Sequence, residues 1–241
     1  MRVPIPILMF HQVDKPPRRG TPYRGLTVPV SRFRRHMQWL AFCGWRGLSM
    51  QALMPYLRGQ QSGKVFGLTF DDAYLNVHTH ALAVLREVSF SATTYVVAGA
   101  IGNTNRWDVA EGVPQVPLMN RHHLREWLAA GHEIGAHAWD HCHLTRIDDD
   151  ALHRQIVQCR RLLQSEFDQP IDAFCYPYGD HDERIARHVR RAGYASATTT
   201  RRGRVQADHD VYALPRVHIH RHTPSVQVVR KCLTSYEDRR A

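Results

Sequence analysis

The chain has 241 residues, 43% hydrophobic and 22% charged, which suits one α/β domain with a sizeable buried core. Its formal charge of +10 comes from arginines in short groups (32–35, 190–191, 201–204) with no nucleic-acid-binding motif beside them. Solvated helix faces explain them, or attraction to an anionic substrate or an acidic membrane surface, and nucleic acid is not an expected partner.

In chain order, the first apolar stretch, 5–10, follows Pro4, contains Pro6 and has no small-residue cleavage site after it. It reads as a first strand and not as a signal peptide. Ser31 is placed to cap a helix through Leu40. A strand at 65–70 ends in Asp71-Asp72 and leads into a helix at 73–88, and a strand at 92–97 opens onto a long irregular stretch, 99–117, read as an active-site loop. A helix at 121–130 is closed by Gly131, a strand follows at 132–136, and 149–167 has Leu152, Ile156, Cys159 and Leu163 at helical spacing. A strand at 173–176, a helix at 182–192 closed by Gly193, and strands at 195–199 and 212–219 complete the pattern. Strand-helix alternation predicts a parallel sheet or barrel with its chemistry at the C-terminal strand ends. One domain spans 1–241, with a core at about 4–220 and a basic C-terminal tail. Five cysteines (Cys43, Cys142, Cys159, Cys175, Cys232), odd in number and without CxxC spacing, point to a reducing, cytoplasmic setting, peripheral to the inner membrane face if the basic charge is used there.

Three constellations fall at strand ends. Adjacent carboxylates at Asp71 and Asp72 repel unless a cation sits nearby, so the pair calls for a metal with a base beside it. In His137-Ala138-Trp139-Asp140-His141, a helical turn after the strand would put the two imidazoles on one face. One Asp and two His make a three-ligand set that leaves positions open for water and substrate. In Tyr176-Pro177-Tyr178-Gly179, proline fixes one torsion and glycine frees another, so a backbone N–H can point into the site as an oxyanion donor. Trp107 and Asp108, in the irregular stretch, are candidates to stack on a sugar face and accept its hydroxyls.

Together and in this order, Thr69-Phe70-Asp71-Asp72, the His137–His141 motif and Tyr176-Pro177-Tyr178-Gly179 resemble the polysaccharide deacetylase family, carbohydrate esterase family four, which has the chitooligosaccharide deacetylase homology domain. The resemblance runs from about Pro4 to Val217. It implies a distorted (β/α)7 barrel of mostly parallel strands and a hydrolase that removes an N-acetyl group from an amino sugar in a polysaccharide, an oligosaccharide or a lipid-linked precursor. It implies that Asp71 is the general base and that Asp72, His137 and His141 hold a divalent metal, most often zinc, with cobalt, nickel or manganese as alternatives. Tyr178 would supply the oxyanion N–H, and Tyr176 and Pro177 would meet the substrate.

The family's general acid is a histidine in a Leu-x-x-His motif, which Leu8-Met9-Phe10-His11 matches and the C-terminal Leu214–His220 stretch does not. Some members have a circularly permuted barrel in which the acid-bearing strand comes first, so His11 is the first candidate and His218 the reserve. Ala73 stands where the family has glycine, and Ala138 where it has a Ser or Thr that supports the metal motif. The arginine that normally orients the catalytic Asp is absent from the third motif, and Arg216 is its expected substitute. A deformylase or amidase on a different sugar or small molecule, and a catalytically silent metal- and glycan-binding module, are the alternatives.

Overall fold

The computed structural model describes residues 3–240. Its strands are β1 (Ile7–Phe10), β2 (Gln12–Val13), β3 (Thr27–Val28), β4 (Arg46–Leu48), β5 (Val65–Phe70), β6 (Thr93–Val96), β7 (Glu133–Ala136), β8 (Ala173–Cys175), β9 (Ser196–Arg202) and β10 (Leu214–His218). The helices are α1 (Val30–Phe42), α2 (Met50–Leu57), α3 (Leu75–Val88), α4 (Arg121–Ala129), α5 (Asp149–Leu152), α6 (Cys159–Phe167), α7 (Glu183–Arg191) and α8 (Ser225–Leu233), with a π-helical segment, His153–Gln158, joining α5 to α6. All pairs in the main sheet are parallel, in the order β1-β10-β9-β8-β7-β6-β5-β4, and β1 also pairs with β5. That pairing closes a seven-stranded barrel, while β4 extends along the first half of the β5 edge that β6 takes further on. The architecture is the α/β barrel that the motifs implied.

Alternation along each strand separates two cores. Ile7, Val65, Tyr95, Ala173, Cys175 and Leu214 pack together inside the barrel, where Met50, Leu53 and Tyr56 of α2 close its lower end. Leu8, Phe10, Phe66, Leu68, Phe70, Val96, Phe174 and Val217 point out into the layer beneath the helices. Gly67 follows from this packing, because a Cβ there would lie 2.9 Å from Leu53 and 3.1 Å from Ile7. Every second residue of β5 faces inward, so the strand that ends at Phe70 delivers Asp71 to the barrel interior.

The expected strands and helices are present, with ends shifted by at most three residues. Gly131 and Gly193 adopt the left-handed conformation expected of them, at φ +84° and +87°. Four elements went unread: β2 and β3, at two residues each, and β4 are too short to show alternation, and α2 carries an internal Pro55. The stretch expected to be a basic tail is also folded. Its helix α8 packs on α1 with Val228 and Cys232 in the core, and Lys231 is buried beside Glu237 at 2.8 Å. Among the described residues, no helix is long and apolar enough to cross a membrane.

Candidate active site

The C-terminal strand ends open into a cavity of about 240 Å³. Its lining takes in His11 after β1, Asp71 and Asp72 after β5, His137 and His141 after β7, and Tyr176 and Tyr178 after β8. Trp107 and Asp108 enter from the irregular stretch, and Pro22, Tyr23, Leu26 and Thr27 come from the opposite loop. The hydroxyl of Tyr23 donates to Glu111 and so joins the two loops across the mouth.

Asp71 is buried and held by both arms of one guanidinium. Arg216 Nη1 donates to Oδ1 at 2.6 Å and Nη2 donates to Oδ2 at 2.8 Å. Arg216 is fully buried and anchored in turn: Nε donates to the Thr199 carbonyl at 2.8 Å, and Nη1 also reaches Thr69 Oγ1 at 3.1 Å. Burial alone would raise the Asp71 pKa, but the Arg216 charge, helped by His11 and His137, outweighs it and keeps the carboxyl well below its usual range. The arginine missing from the third motif is thus met in space by one on the last strand. Each carboxylate oxygen gives the guanidinium one lone pair and keeps another for the cavity.

Asp72 turns the other way, because it and Ala73 both adopt left-handed backbone angles, φ 70° and 54°. Its Oδ1 lies 3.4 Å from Nε2 of His137 and 3.4 Å from Nε2 of His141, and it is buried without a hydrogen-bond partner. Ligand atoms about 2.1 Å from a tetrahedral ion stand roughly 3.4 Å apart, so the three side chains fit a divalent cation. The His137 ring is fixed for this role by its Nδ1, 2.8 Å from the Cys175 carbonyl, which leaves Nε2 as the free donor atom. Burial acts to lower the His137 pKa, but Cys175 and Asp72 outweigh it and raise it, whereas burial pushes His141 down to about 3. A second grouping, Asp71, His137 and Cys175, is as compact but unsuited to a cation. The Arg216 guanidinium lies against both Asp71 oxygens and donates to Cys175 Sγ at 3.3 Å, so its positive charge would repel an ion placed there.

The two histidines do not share a helical turn. Residues 137–141 form a loop in which Ala138 and His141 take φ of 59° and 56°, and those two reversals bring the ring centroids to 4.8 Å. Trp107 stacks on His141 at 4.7 Å, and Tyr178 meets it edge-on at 4.5 Å. Burial and then the Asp72 charge raise the Asp108 pKa to about 6. Tyr178 has φ 58°, and its amide stands outside the turn's own bonds, from the Gly179 N–H to Tyr176 O and from the Asp180 N–H to Pro177 O. His11 Nε2 lies 3.8 Å from Asp71 Oδ2. Besides Arg216, which is buried behind Asp71, two expected residues sit apart from the cavity. Pro177 is buried and absent from the lining, and His218 directs Nε2 to the Thr200 carbonyl at 2.7 Å.

The sequence model of the family described as polysaccharide deacetylase matches residues 58–197. The chain belongs to the polysaccharide deacetylase family. The match takes in Asp71, Asp72, His137, His141 and Tyr178 but stops short of His11 and Arg216, which closure of the barrel brings in from the two ends of the chain. The Bacillus subtilis protein YxkH is 26% identical over 217 residues, 89% of this chain and 71% of YxkH. The poly-beta-1,6-N-acetyl-D-glucosamine N-deacetylase of Staphylococcus epidermidis is 21% identical over 204 residues, 80% of this chain and 68% of that protein. The Streptococcus pyogenes deacetylase PplD, solved in complex with acetate, shares the fold of this family member with a TM-score of 0.84 at 22% identity, over 96% of this chain and 99% of PplD.

Proposed function

We propose that this deacetylase-family member is a metal-dependent hydrolase that removes the N-acetyl group from an N-acetylated amino sugar within a glycan. The observation that carries the reading is the pairing of an Asp72–His137–His141 set, spaced for one ion, with an ionised Asp71 facing the same cavity. Asp72, His137 and His141 would hold a divalent ion, zinc being the simplest choice, and when bound it would supply an acidified water and polarisation of the amide carbonyl. Asp71 is the general base: Arg216 keeps it ionised and aimed, and its remaining lone pairs accept the proton from water. The Tyr178 N–H, presented by a left-handed residue, is the oxyanion donor. His11 faces Asp71 across the cavity and protonates the departing amine, which gives the first strand the acid and fits a circularly permuted barrel. Trp107 and Asp108 line the face that receives the sugar. Likeness to the Staphylococcus epidermidis enzyme supports a β-linked N-acetylglucosamine polymer or its oligomers as substrate.

The test measures bound metal in the purified protein and acetate release from N-acetylglucosamine oligomers, with and without chelator. Metal at one equivalent, with acetate release that chelator abolishes and added zinc restores, is the expected result. A protein that binds no metal would overturn the proposal. Metal binding without acetate release would leave the site and refute the substrate.

A further inference from the structure

The loop that carries His137 and His141 needs support that its own residues do not provide. Two of its non-glycine residues are left-handed, at roughly 1–2 kcal/mol each. The backbone N–H groups of Trp139 and Asp140 point away from the loop's own carbonyls and need acceptors. Both find the same one: Oε1 of Gln155 accepts from Trp139 at 2.9 Å and from Asp140 at 3.0 Å. The amide nitrogen of Gln155 then donates to Asp140 Oδ2 at 3.0 Å, so all three bonds converge on the segment between the two histidines. Gln155 is buried, 6% exposed, and lies in the π-helical segment between α5 and α6. Cys159, one turn on, donates to the Ala138 carbonyl at 3.3 Å. The carbonyls of Ala138 and Trp139 are held from the other side by the N–H groups of Ala98 and Gly99, at 3.1 and 2.8 Å.

We infer that Gln155 is a positioning residue for the metal site, which holds the 137–141 loop in the strained shape that turns both imidazoles toward Asp72. It touches neither the cavity nor a ligand atom. Ala138 has no hydroxyl with which to brace the loop, and Gln155 performs that task from the neighbouring helix. The π-helical segment places one extra residue in a turn of an otherwise regular helix, and such segments recur where a side chain must be aimed out of register. Losing a partner that orients a metal ligand typically weakens binding about 10–100-fold.

The inference rests on the metal reading above, and one experiment separates the two. Zinc dissociation constants are measured by chelator competition for the wild-type protein, Gln155→Leu and Gln155→Glu, with unfolding temperatures of each in its metal-free and zinc-loaded states. Gln155→Leu removes all three bonds at similar volume, and its zinc Kd should rise at least tenfold, with a smaller thermal gain on zinc binding. Gln155→Glu keeps an acceptor for both N–H groups but sets a carboxylate against Asp140 Oδ2, so it should recover part of the affinity, and most of it once Asp140→Asn restores a donor to that contact. An unchanged Kd in Gln155→Leu overturns the inference, as does an equal fall in both unfolding temperatures with no change in Kd. If Gln155→Leu does not fold, Gln155→Met is measured in its place, and wild-type affinity in it is equally fatal. A wild-type protein that binds no zinc sinks the metal reading itself.

Discussion

Replacing Arg216 by methionine tests whether one charge on the last strand governs the carboxylate that follows β5. The variant leaves Asp71, 2% exposed, with no guanidinium on either oxygen. Breaking a buried pair from one side costs about 3–5 kcal/mol, because the remaining charge stays uncompensated. At about 2–4 °C per kcal/mol for a chain of this size, the metal-free protein should melt roughly 6–20 °C lower at pH 7. In the wild type the Asp71 pKa is depressed in the folded state, so its pairing stabilises the protein above the unfolded carboxyl value near ~4 and is lost as pH falls further. In the variant, burial stands against His11 and His137 alone and the folded pKa rises. The stability gap from wild type should therefore widen as pH increases from about 4 toward neutrality. The acid limb of kcat/KM should move to higher pH, since the base now has to lose a proton it formerly never held, while zinc content stays near one equivalent. Urea unfolding across pH and a pH–rate profile read both effects. A stability loss below ~1 kcal/mol together with an unmoved acid limb would refute the argument.

Asp71→Asn should retain zinc and lose about 10²–10⁴-fold in turnover, whereas Asp72→Asn should lose zinc and activity together; metal analysis beside acetate assays distinguishes them. At Gly179, φ is +74° and a Cβ would sit 2.0 Å from Thr200 Oγ1 and 2.7 Å from its amide nitrogen, so Gly179→Ala must displace the Tyr178 turn. Acetate release should fall with zinc content unchanged, and stability should drop by at least the ~1–2 kcal/mol of a left-handed alanine; wild-type turnover in that variant would exclude the turn from the site. Lys231→Met leaves the fully buried Glu237 with only the more distant Arg202, 3.8 Å away, in place of Lys231 Nζ at 2.8 Å, and should cost up to about 3–5 kcal/mol in urea unfolding. Adding Glu237→Gln should recover part of that loss, and simple additivity of the two substitutions would show that the pair is not coupled.

Much of this architecture is visible in the bare sequence because a parallel barrel writes itself as apolar strands alternating with amphipathic helices. Val65–Phe70 is buried at every position and announces itself as a central strand, and the carboxylates that end it have no structural reason to be there. Arg216 could be named only through the family resemblance, in which the third-motif arginine is missing here, together with its place on the last strand. What stayed hidden depends on contacts between distant segments. Spacing alone made His137 and His141 look like one helical turn, since the left-handed angles at Ala138 and His141 carry no glycine to mark them. Gln155 was invisible because a scan for apolar periodicity passes over a buried polar residue, although it shares a face with Leu152 and Ile156. The region beyond residue 220 read as a tail because Lys231 and Arg230 hide the apolar side of α8.

Pairing of β1 with both β5 and β10 also orders the events of synthesis. Ile7 to Phe10 lie in register with Gly67 to Phe70, a partnership open to the chain once its first third has been made. The other edge of β1 must wait for β10, where Leu8 meets Val217 across nearly the whole length of the polypeptide. Arg216 arrives on that same strand, so until it emerges from the ribosome the carboxylate of Asp71 has no guanidinium to sit against. A loop this long is entropically slow to close. The second edge of β1 and the cation that Asp71 sits against therefore come on one strand, and a chain that lacks β10 has neither.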